Sequence, residues 1–295
     1  MPEAVLRAPC KINLFLRILG RRPDGFHELH TLFYPLAEPC DELVLDPLPA
    51  GAGCRVECDR LGLGSEDNLI ARAWRAFREA AGSAPDLLVR LDKRIPVGAG
   101  LGGGSSDAAA MLAYLNGRAG ERALSAQRLA ALAASLGADV PFFLLGRPAL
   151  ARGKGEQLVP CDPGLSGLWL VLVCPEAHVS TAWAYGEWDR LFLDRPREQR
   201  VTDFWPAEAA LTSAGMGAKS FSSFSPLAVG NDFEAAVFPA HPKLRGIKER
   251  LYGLGAAAAA MSGSGASVFG LFRGRERALS AARGLAEARV FVQQC

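Results

Sequence analysis

Residues 96–107 read Pro96-Val97-Gly98-Ala99-Gly100-Leu101-Gly102-Gly103-Gly104-Ser105-Ser106-Asp107, with five glycines in the seven positions from 98 to 104. Without Cβ atoms, such a backbone can turn its N–H groups inward and approach an anion closely. The apolar run Ser105–Asn116 predicts a helix, whose N-terminus adds free N–H groups and the positive end of a dipole. The stretch therefore predicts a phosphate-binding loop between a strand and a helix. The hydroxyls of Ser105 and Ser106 could bind phosphate oxygens or Mg²⁺.

Other uses of a glycine-rich loop fit this chain less well. The spacing Gly98-x-Gly100-x-x-Gly103 matches the dinucleotide fingerprint, but that fingerprint needs a second strand ending in an acidic residue about 20 residues later. Here the following stretch is predicted to be helical. A Walker loop would have lysine where Ser105 stands, and the motifs of protein kinases are missing from the sequence. A flexible linker is disfavoured because the loop lies between a predicted strand and an apolar helix.

The composition places the chain among globular proteins. It has 295 residues, of which 49% are hydrophobic and 22% charged, as expected for one large or two medium domains. A net charge of +2 argues against a dedicated nucleic-acid binder. The seven cysteines are scattered without a Cys-x-x-Cys pair, which argues against a disulfide set or a thiolate zinc site. The first residues hold no apolar signal core, and no apolar run approaches ~18 residues. We therefore expect a cytoplasmic protein that binds neither membranes nor nucleic acid.

The apolar patterns predict an antiparallel beginning and a mixed α+β second half. Further helices are predicted at Asn68–Ala81, Leu124–Leu136, Ala182–Leu191, Asp232–Val237, Pro242–Leu254 and Arg275–Ala288. Strands are predicted at Val5–Gly20, His27–Leu36, Glu42–Leu45, Cys54–Cys58, Asp86–Asp92, Leu168–Cys174, Ala257–Met261 and Ser267–Phe272. The stretch Gly146–Gly167 is rich in Gly and Pro and is interpreted as the passage between two domains, residues 1–153 and 154–295.

Three motifs resemble those of the GHMP kinases, the superfamily of galactokinase, homoserine kinase and mevalonate kinase. The glycine loop is similar to their ATP-binding motif. Ala8-Pro9-Cys10-Lys11-Ile12-Asn13-Leu14 is similar to their first motif, and Met261-Ser262-Gly263-Ser264-Gly265-Ala266-Ser267-Val268-Phe269 to their third. The motifs stand in the expected order and bracket nearly the whole chain. The resemblance implies an α+β fold, with an N-terminal domain like the second domain of ribosomal protein S5 and a ferredoxin-like C-terminal domain.

Further segments resemble the branch of the superfamily that phosphorylates a cytidine diphosphate-linked methylerythritol. They are Arg22-Pro23-Asp24-Gly25-Phe26-His27-Glu28-Leu29, Glu66-Asp67-Asn68-Leu69, Gly137-Ala138-Asp139-Val140-Pro141-Phe142-Phe143, and Val179-Ser180-Thr181 with Tyr185. The resemblance implies transfer of the γ-phosphoryl group of ATP to a tertiary hydroxyl of a small molecule, within non-mevalonate isoprenoid biosynthesis. It also implies ATP and Mg²⁺ as cofactors, with no resident metal site, and a monomer or homodimer.

By this resemblance, Asp139 is the catalytic base and Lys11 a cation beside it. Taken alone, Asp139 is as readily the cap of a helix, and Lys11 a solvated lysine at a strand edge. The residues implied in ATP binding are Pro96, Val97, Gly98, Ala99, Gly100, Leu101, Gly102, Gly103, Gly104, Ser105, Ser106 and Asn68. For Asn68 an N-cap role is equally open.

The resemblance places Phe26, His27 and Tyr185 in a cytidine pocket, where two aromatic faces could sandwich a pyrimidine and His27 could bond the base edge. The alternative is that Phe26 and Tyr185 are ordinary core aromatics. Asn13 and Thr181 are the remaining implied substrate-binding residues. Asn13 lies two residues after Lys11 on a predicted strand, so both side chains point to the same face.

Two questions stay open at this level. The turn Ser262–Gly265 could lie near the phosphates or be a plain hairpin turn. The chain could also be a homoserine or mevalonate-type kinase, a nucleotide-binding regulator without catalysis, or an NAD(P)-binding protein. The aromatic pocket argues against the first rival, and the presence of both Lys11 and Asp139 argues against the second.

Overall fold

The computed structural model describes residues 2–58, 67–195 and 229–295. Two compact units are interleaved along the chain. The first unit comprises Met1–Cys10, Pro35–Pro96 and Gly102–Arg147, and the second comprises Lys11–Tyr34, Val97–Leu101 and Pro148–Cys295. The predicted boundary after residue 153 stays a prediction. Glu66 and most of the polar segment 194–225 lie outside the described residues.

The described residues form eleven strands and eight α-helices. The strands are β1 Ala4–Arg21, β2 His27–Pro47, β3 Cys54–Cys58, β4 Leu87–Asp92, β5 Ala149–Arg152, β6 Gln157–Pro160, β7 Trp169–Cys174, β8 Gly230–Asn231, β9 Ala258–Met261, β10 Val268–Phe272 and β11 Arg289–Gln294. The helices are α1 Leu69–Ala81, α2 Gly103–Arg118, α3 Ala126–Leu136, α4 Val140–Leu145, α5 Thr181–Phe192, α6 Phe233–Ala240, α7 Pro242–Gly253 and α8 Arg275–Arg283.

The first unit packs α1, α2, α3 and α4 beside a sheet edge. There β3 runs parallel to β4, and β4 pairs antiparallel with β2 in a register that sets Glu42 opposite Asp92. Helix α1 turns Ala73, Trp74 and Phe77 into a core that also takes apolar side chains from α2 and β4. This core holds α2, and therefore the end of the glycine loop, against α1 and α4.

The second unit is built on an antiparallel four-stranded sheet in the order β11-β7-β10-β9. Strand β7 is apolar throughout, as expected for a central strand. Helices α7 and α8 pack on this sheet, and α5 packs on α6. Strand β1 also contributes to this unit, where Phe15 and Leu16 pair parallel with Gly230 and Asn231 of β8. The mixture of helices and mainly antiparallel strands confirms the predicted α+β class.

Three predicted elements need correction. Helix α2 begins at Gly103 rather than Ser105, because the helical conformation already includes the last two glycines of the loop. Strand β2 is continuous from His27 to Pro47, whereas separate strands were predicted at His27–Leu36 and Glu42–Leu45. The hairpin of β5 and β6 lies within the stretch interpreted as an interdomain passage. Helix α4 was not predicted at all, because a six-residue apolar run is too short to show a period.

None of the seven cysteines, all of which lie within the described residues, takes part in a disulfide bond. Within the described ranges, no helix is both long and apolar enough to cross a membrane.

Candidate active site

The glycine loop takes backbone conformations that only glycine adopts easily. Gly98, Gly100 and Gly102 have φ values of 68°, 74° and 72°, a region that costs other residues energy. Space is also restricted, because a Cβ on Gly100 would overlap the carbonyl oxygen of Ser262 and one on Gly98 would overlap the ring of His178. Glycine is therefore required here by conformation and by close packing.

In the second unit, backbone and hydroxyl hydrogen bonds join three motifs that are far apart in sequence. The Lys11 N–H donates to the Leu101 carbonyl at 3.1 Å. The Asn13 N–H donates to Ser262 Oγ at 3.2 Å, and this hydroxyl donates to the Gly100 carbonyl at 2.9 Å. The Ser262–Gly265 turn therefore joins β9 to β10 and also supports the glycine loop. The hairpin interpretation is confirmed, and the turn lies against the loop predicted to bind phosphate.

Lys11 and Asn13 form a buried polar pair on one face of β1. Lys11 is 4% exposed, and its Nζ donates to Asn13 Oδ1 at 2.7 Å, as expected for residues two apart on a strand. The Asn13 amide donates in turn to Thr31 Oγ1 at 2.7 Å, and Lys11 Nζ lies 4.9 Å from the centre of the Phe33 ring. The alternative of a solvated lysine is therefore wrong. Lys11 therefore places a buried ammonium beside Asn13 on the inner face of β1.

The start of α2 carries the serines of the glycine loop. Ser105 is half-buried, whereas Ser106 is buried and its hydroxyl finds no hydrogen-bond partner within the described residues. A Cβ on Gly103 would lie 3.0 Å from Lys93 Nζ, so a cation lies directly behind the first turn of the helix. Free N–H groups and an available hydroxyl together favour an anion at this point.

Asp139 stands at the N-cap position of α4, but its side chain makes no capping hydrogen bond to that helix. The alternative interpretation of Asp139 as a side-chain cap of this helix is therefore wrong. The residues before it lie beside the start of α2, because a Cβ on Gly137 would be 3.7 Å from Ser105 Oγ. Lys11 belongs to the second unit, and its predicted place beside Asp139 stays a prediction.

Asn68 caps helix α1. Its side-chain oxygen accepts a hydrogen bond from the Ile70 N–H at 2.8 Å, which confirms the capping interpretation. The implied adenine contact stays a prediction.

The predicted cytidine pocket has a different internal arrangement from a simple sandwich. The ring of Tyr185 stacks on His27 with centroids 4.3 Å apart, so His27 covers one of its faces. Phe26 is 54% exposed with Lys154 Nζ 4.3 Å from its ring centre, and the core interpretation of Phe26 is wrong. Thr181 begins α5, and its Oγ1 lies 2.9 Å from Ser264 Oγ. The structure thus brings Thr181 to the turn that supports the glycine loop.

A buried charged cluster behind the glycine loop was missed from the sequence. Lys93 forms ion pairs with Asp41 and with Asp107, the latter at 2.7 Å. The other oxygen of Asp41 accepts from the N–H groups of Arg94 at 2.6 Å and Ile95 at 2.7 Å. Burial raises the pKa of the Asp107 carboxyl to about 7, although the Lys93 ammonium lowers it. The available signal was a carboxylate on the apolar face of a predicted helix.

We expect the Asp107→Asn variant to lose part of the pH dependence of stability. Because the pKa of Asp107 is raised in the folded chain to about 7, the folded state holds a proton that the unfolded chain loses near pH 4. Wild-type stability should therefore fall as pH rises from about 4 to about 7, whereas asparagine cannot ionise. Urea titrations give the free energy of unfolding of each protein at each pH. The value for Asp107→Asn minus the value for wild type should increase as the pH rises from about 4 to about 7.

The control for this measurement is Asp92→Asn, which changes an exposed carboxylate paired with Arg94 in the same unit. Its unfolding curve should shift little between about pH 4 and about pH 8 relative to wild type. A constant offset between wild type and Asp107→Asn across that range would contradict the predicted protonation of Asp107.

Within the described residues, no group of three or more His, Cys, Asp or Glu side chains is arranged to hold a metal ion.

Comparison with known protein families gives two matches on this chain. Residues 68–147 match the GHMP kinases N-terminal domain, and residues 210–289 match the GHMP kinases C-terminal family. The first match contains the glycine loop and Asp139, and the second contains the Ser262–Gly265 turn.

Curated relatives share much of the sequence over nearly their whole length. The 4-diphosphocytidyl-2-C-methyl-D-erythritol kinase of Solidesulfovibrio magneticus is 51% identical over 276 residues, which cover 94% of this chain and 90% of the relative. The enzyme of the same name from Nitratidesulfovibrio vulgaris is 47% identical over 283 residues, covering 95% and 94%.

Among solved structures, a 4-(cytidine 5'-diphospho)-2C-methyl-D-erythritol kinase matches with a TM-score of 0.76 and 37% identity, covering 98% of each chain. A homoserine kinase from Cytophaga hutchinsonii matches with a TM-score of 0.67 and 18% identity, covering 98% of this chain and 94% of the other. The second likeness shows a shared fold alone.

Proposed function

The chain belongs to the GHMP kinases and, within them, to the 4-diphosphocytidyl-2-C-methyl-D-erythritol kinase family, and on that premise we propose that it phosphorylates the 2-hydroxyl of this compound with ATP. The reaction is the kinase step of the non-mevalonate route to isoprenoid precursors. The observation that supports it best is the joining of the Lys11–Asn13, Ala99–Leu101 and Ser262–Gly265 segments by hydrogen bonds.

The glycine loop is proposed to hold the phosphates of ATP. Its backbone fits an anion because the conformations of Gly98 and Gly100 exclude side chains, and because the Ser106 hydroxyl is buried without a partner among the described residues. When bound, Mg²⁺ would neutralise charge on the phosphates, with Ser105 and Ser106 as the hydroxyls nearest the start of α2. The loop would then align the γ-phosphoryl group without any covalent role for the protein.

Asp139 is proposed to accept the proton of the substrate hydroxyl or to orient that hydroxyl. A tertiary alcohol is crowded and weakly acidic, so a nearby carboxylate aids attack. The proposal is supported by the position of the neighbouring residue Gly137, where an added Cβ would lie 3.7 Å from Ser105 Oγ at the start of α2. Lys11 is proposed to stabilise charge on the transferring group, and its burial keeps that charge unscreened by water.

The substrate is proposed to place its cytosine against the His27 and Tyr185 rings and the exposed Phe26, with Asn13 and Thr181 nearer the reacting end. Stacking on an aromatic ring stabilises a bound base by about 1–3 kcal/mol. The proposal further includes a cytoplasmic monomer or homodimer that binds no nucleic acid.

The test is ADP release from Mg-ATP with three acceptor alcohols offered separately. We expect turnover with 4-diphosphocytidyl-2-C-methyl-D-erythritol and at least about 100-fold lower kcat/KM with homoserine or mevalonate. Preferential use of homoserine or mevalonate would overturn the substrate. ATP binding without turnover of any of the three would favour a regulator.

A further inference from the structure

His27 is held by one face of helix α5. Its ring stacks on Tyr185 with an interplanar angle of 18°, and its edge meets Trp188 at 6.0 Å between centroids. The third contact is polar, because His27 Nε2 lies 2.7 Å from Asp189 Oδ1. Tyr185, Trp188 and Asp189 are three and four residues apart, so they project from the same side of the helix.

This contact determines which ring nitrogen carries the proton in neutral His27. A carboxylate can only accept hydrogen bonds, so the short contact requires a proton on Nε2. The other nitrogen, Nδ1, is then a bare acceptor. Among the described residues, none forms a hydrogen bond with Nδ1. His27 is 8% exposed, so the ring has little freedom to turn and present the other nitrogen.

We propose that Asp189 is a positioning residue that holds His27 as the Nε2–H tautomer and thereby selects cytosine over uracil. The proposal rests on the proposed function, in which His27 reads the edge of the base. Cytosine carries an amino group at position 4, which donates to a bare Nδ1. Uracil carries a carbonyl oxygen there, which would face Nδ1 acceptor to acceptor. A site built around one hydrogen-bond pattern rejects an analogue that cannot complete it.

The decisive variant is Asp189→Asn, because it keeps the shape and replaces an acceptor-only group with one that can donate. The asparagine amide can donate to Nε2, which moves the proton of His27 to Nδ1 and turns that nitrogen into a donor. We expect the ratio of Kd values for UDP and CDP to fall by at least about tenfold relative to wild type. Calorimetric titration of CDP and UDP measures this ratio without requiring turnover. All titrations are made at the same pH, and the NMR experiment below reports the state of the ring.

Two further variants separate tautomer control from structural support. Glu187→Gln makes the same chemical change two residues away on α5, where the carboxylate pairs with the exposed Arg190. It should leave the ratio unchanged. Asp189→Glu keeps an acceptor-only partner and should retain most of the preference for CDP. If Asp189→Asn fails to fold, the Asp189→Glu and wild-type ratios still test the proposal.

Nitrogen NMR of the histidine rings reports which nitrogen of His27 carries the proton. A purely structural role of Asp189 would not change this tautomer. The chain has four histidines, so His27→Gln suffices to assign the signal. We expect the Nε2–H form in wild type and the Nδ1–H form in Asp189→Asn. An Nδ1–H signal in wild type, equal wild-type affinity for CDP and UDP, or an unchanged ratio in a folded Asp189→Asn would each overturn the proposal. Failure of the kinase assay alone would contradict the proposed function. The role of Asp189 would still be tested by the wild-type tautomer, the wild-type affinities for CDP and UDP, and their ratio in Asp189→Asn.

Discussion

Replacing Asp139 with asparagine is expected to lower kcat for phosphorylation by about 1,000-fold, which corresponds to about 4 kcal/mol of transition-state stabilisation. Asparagine has nearly the same shape but cannot accept the hydroxyl proton. The Asp139 side chain makes no capping bond to α4, so the change should not unfold that helix. The KM for ATP should change by less than about threefold, since the role concerns the transition state rather than binding.

The measurement is steady-state ADP release at saturating substrate, with thermal unfolding of the same sample. Asp46→Asn is a suitable control, because it replaces another carboxylate of the first unit, in an ion pair with Arg90 on the neighbouring strand. It should keep kcat within about twofold. A kcat for Asp139→Asn near the wild-type value, in a protein of unchanged melting temperature, would show that Asp139 is structural.

Replacing Gly100 with alanine is expected to raise the Kd for ATP at least about tenfold and to lower the melting temperature by several degrees. The φ of Gly100 is 74°, where an alanine is strained by about 1–2 kcal/mol. The added methyl group would also overlap the Ser262 carbonyl, so the loop or the turn must move. Either movement breaks the bond from Ser262 Oγ to Gly100 and displaces the backbone proposed to bind phosphate.

Gly117→Ala provides the matched control for this substitution. Gly117 lies in helix α2, has no neighbour within 4 Å of an added Cβ, and should gain roughly 0.5–1 kcal/mol of stability from the higher helix propensity of alanine. Calorimetric titration with ATP and thermal unfolding compare the two variants. Gly100→Ala with wild-type ATP affinity would contradict the proposed role of the loop backbone.

Local features of the site were well predicted because local physics decides them. The cap at Asn68, one of the two roles left open for that residue, follows from a short polar residue before an apolar period. The common face of Lys11 and Asn13 follows from the strand period. Each of these predictions needs only a few neighbouring residues.

Contacts across long sequence separations could not be predicted in the same way. The Lys93 ion pair with Asp41 spans 52 residues, and the His27 contact with Asp189 spans 162. Neither partner carries a local pattern that identifies the other. The resemblance to a family supplied the order of motifs, but not the hydrogen bonds by which Ser262 and Asn13 join them. Such pairings are fixed by the topology of the sheets rather than by propensity.

The interleaving of the two units affects how the chain is made. Every segment of the first unit has been translated once Arg147 emerges, whereas the second unit needs strands that end near the C-terminus. At about 5–20 residues per second, the newly made Phe15 waits tens of seconds on the ribosome for its partner Gly230. A nascent chain released early would carry the glycine loop without the Ser262 turn that supports it, so only translation products that include this turn are expected to bind ATP.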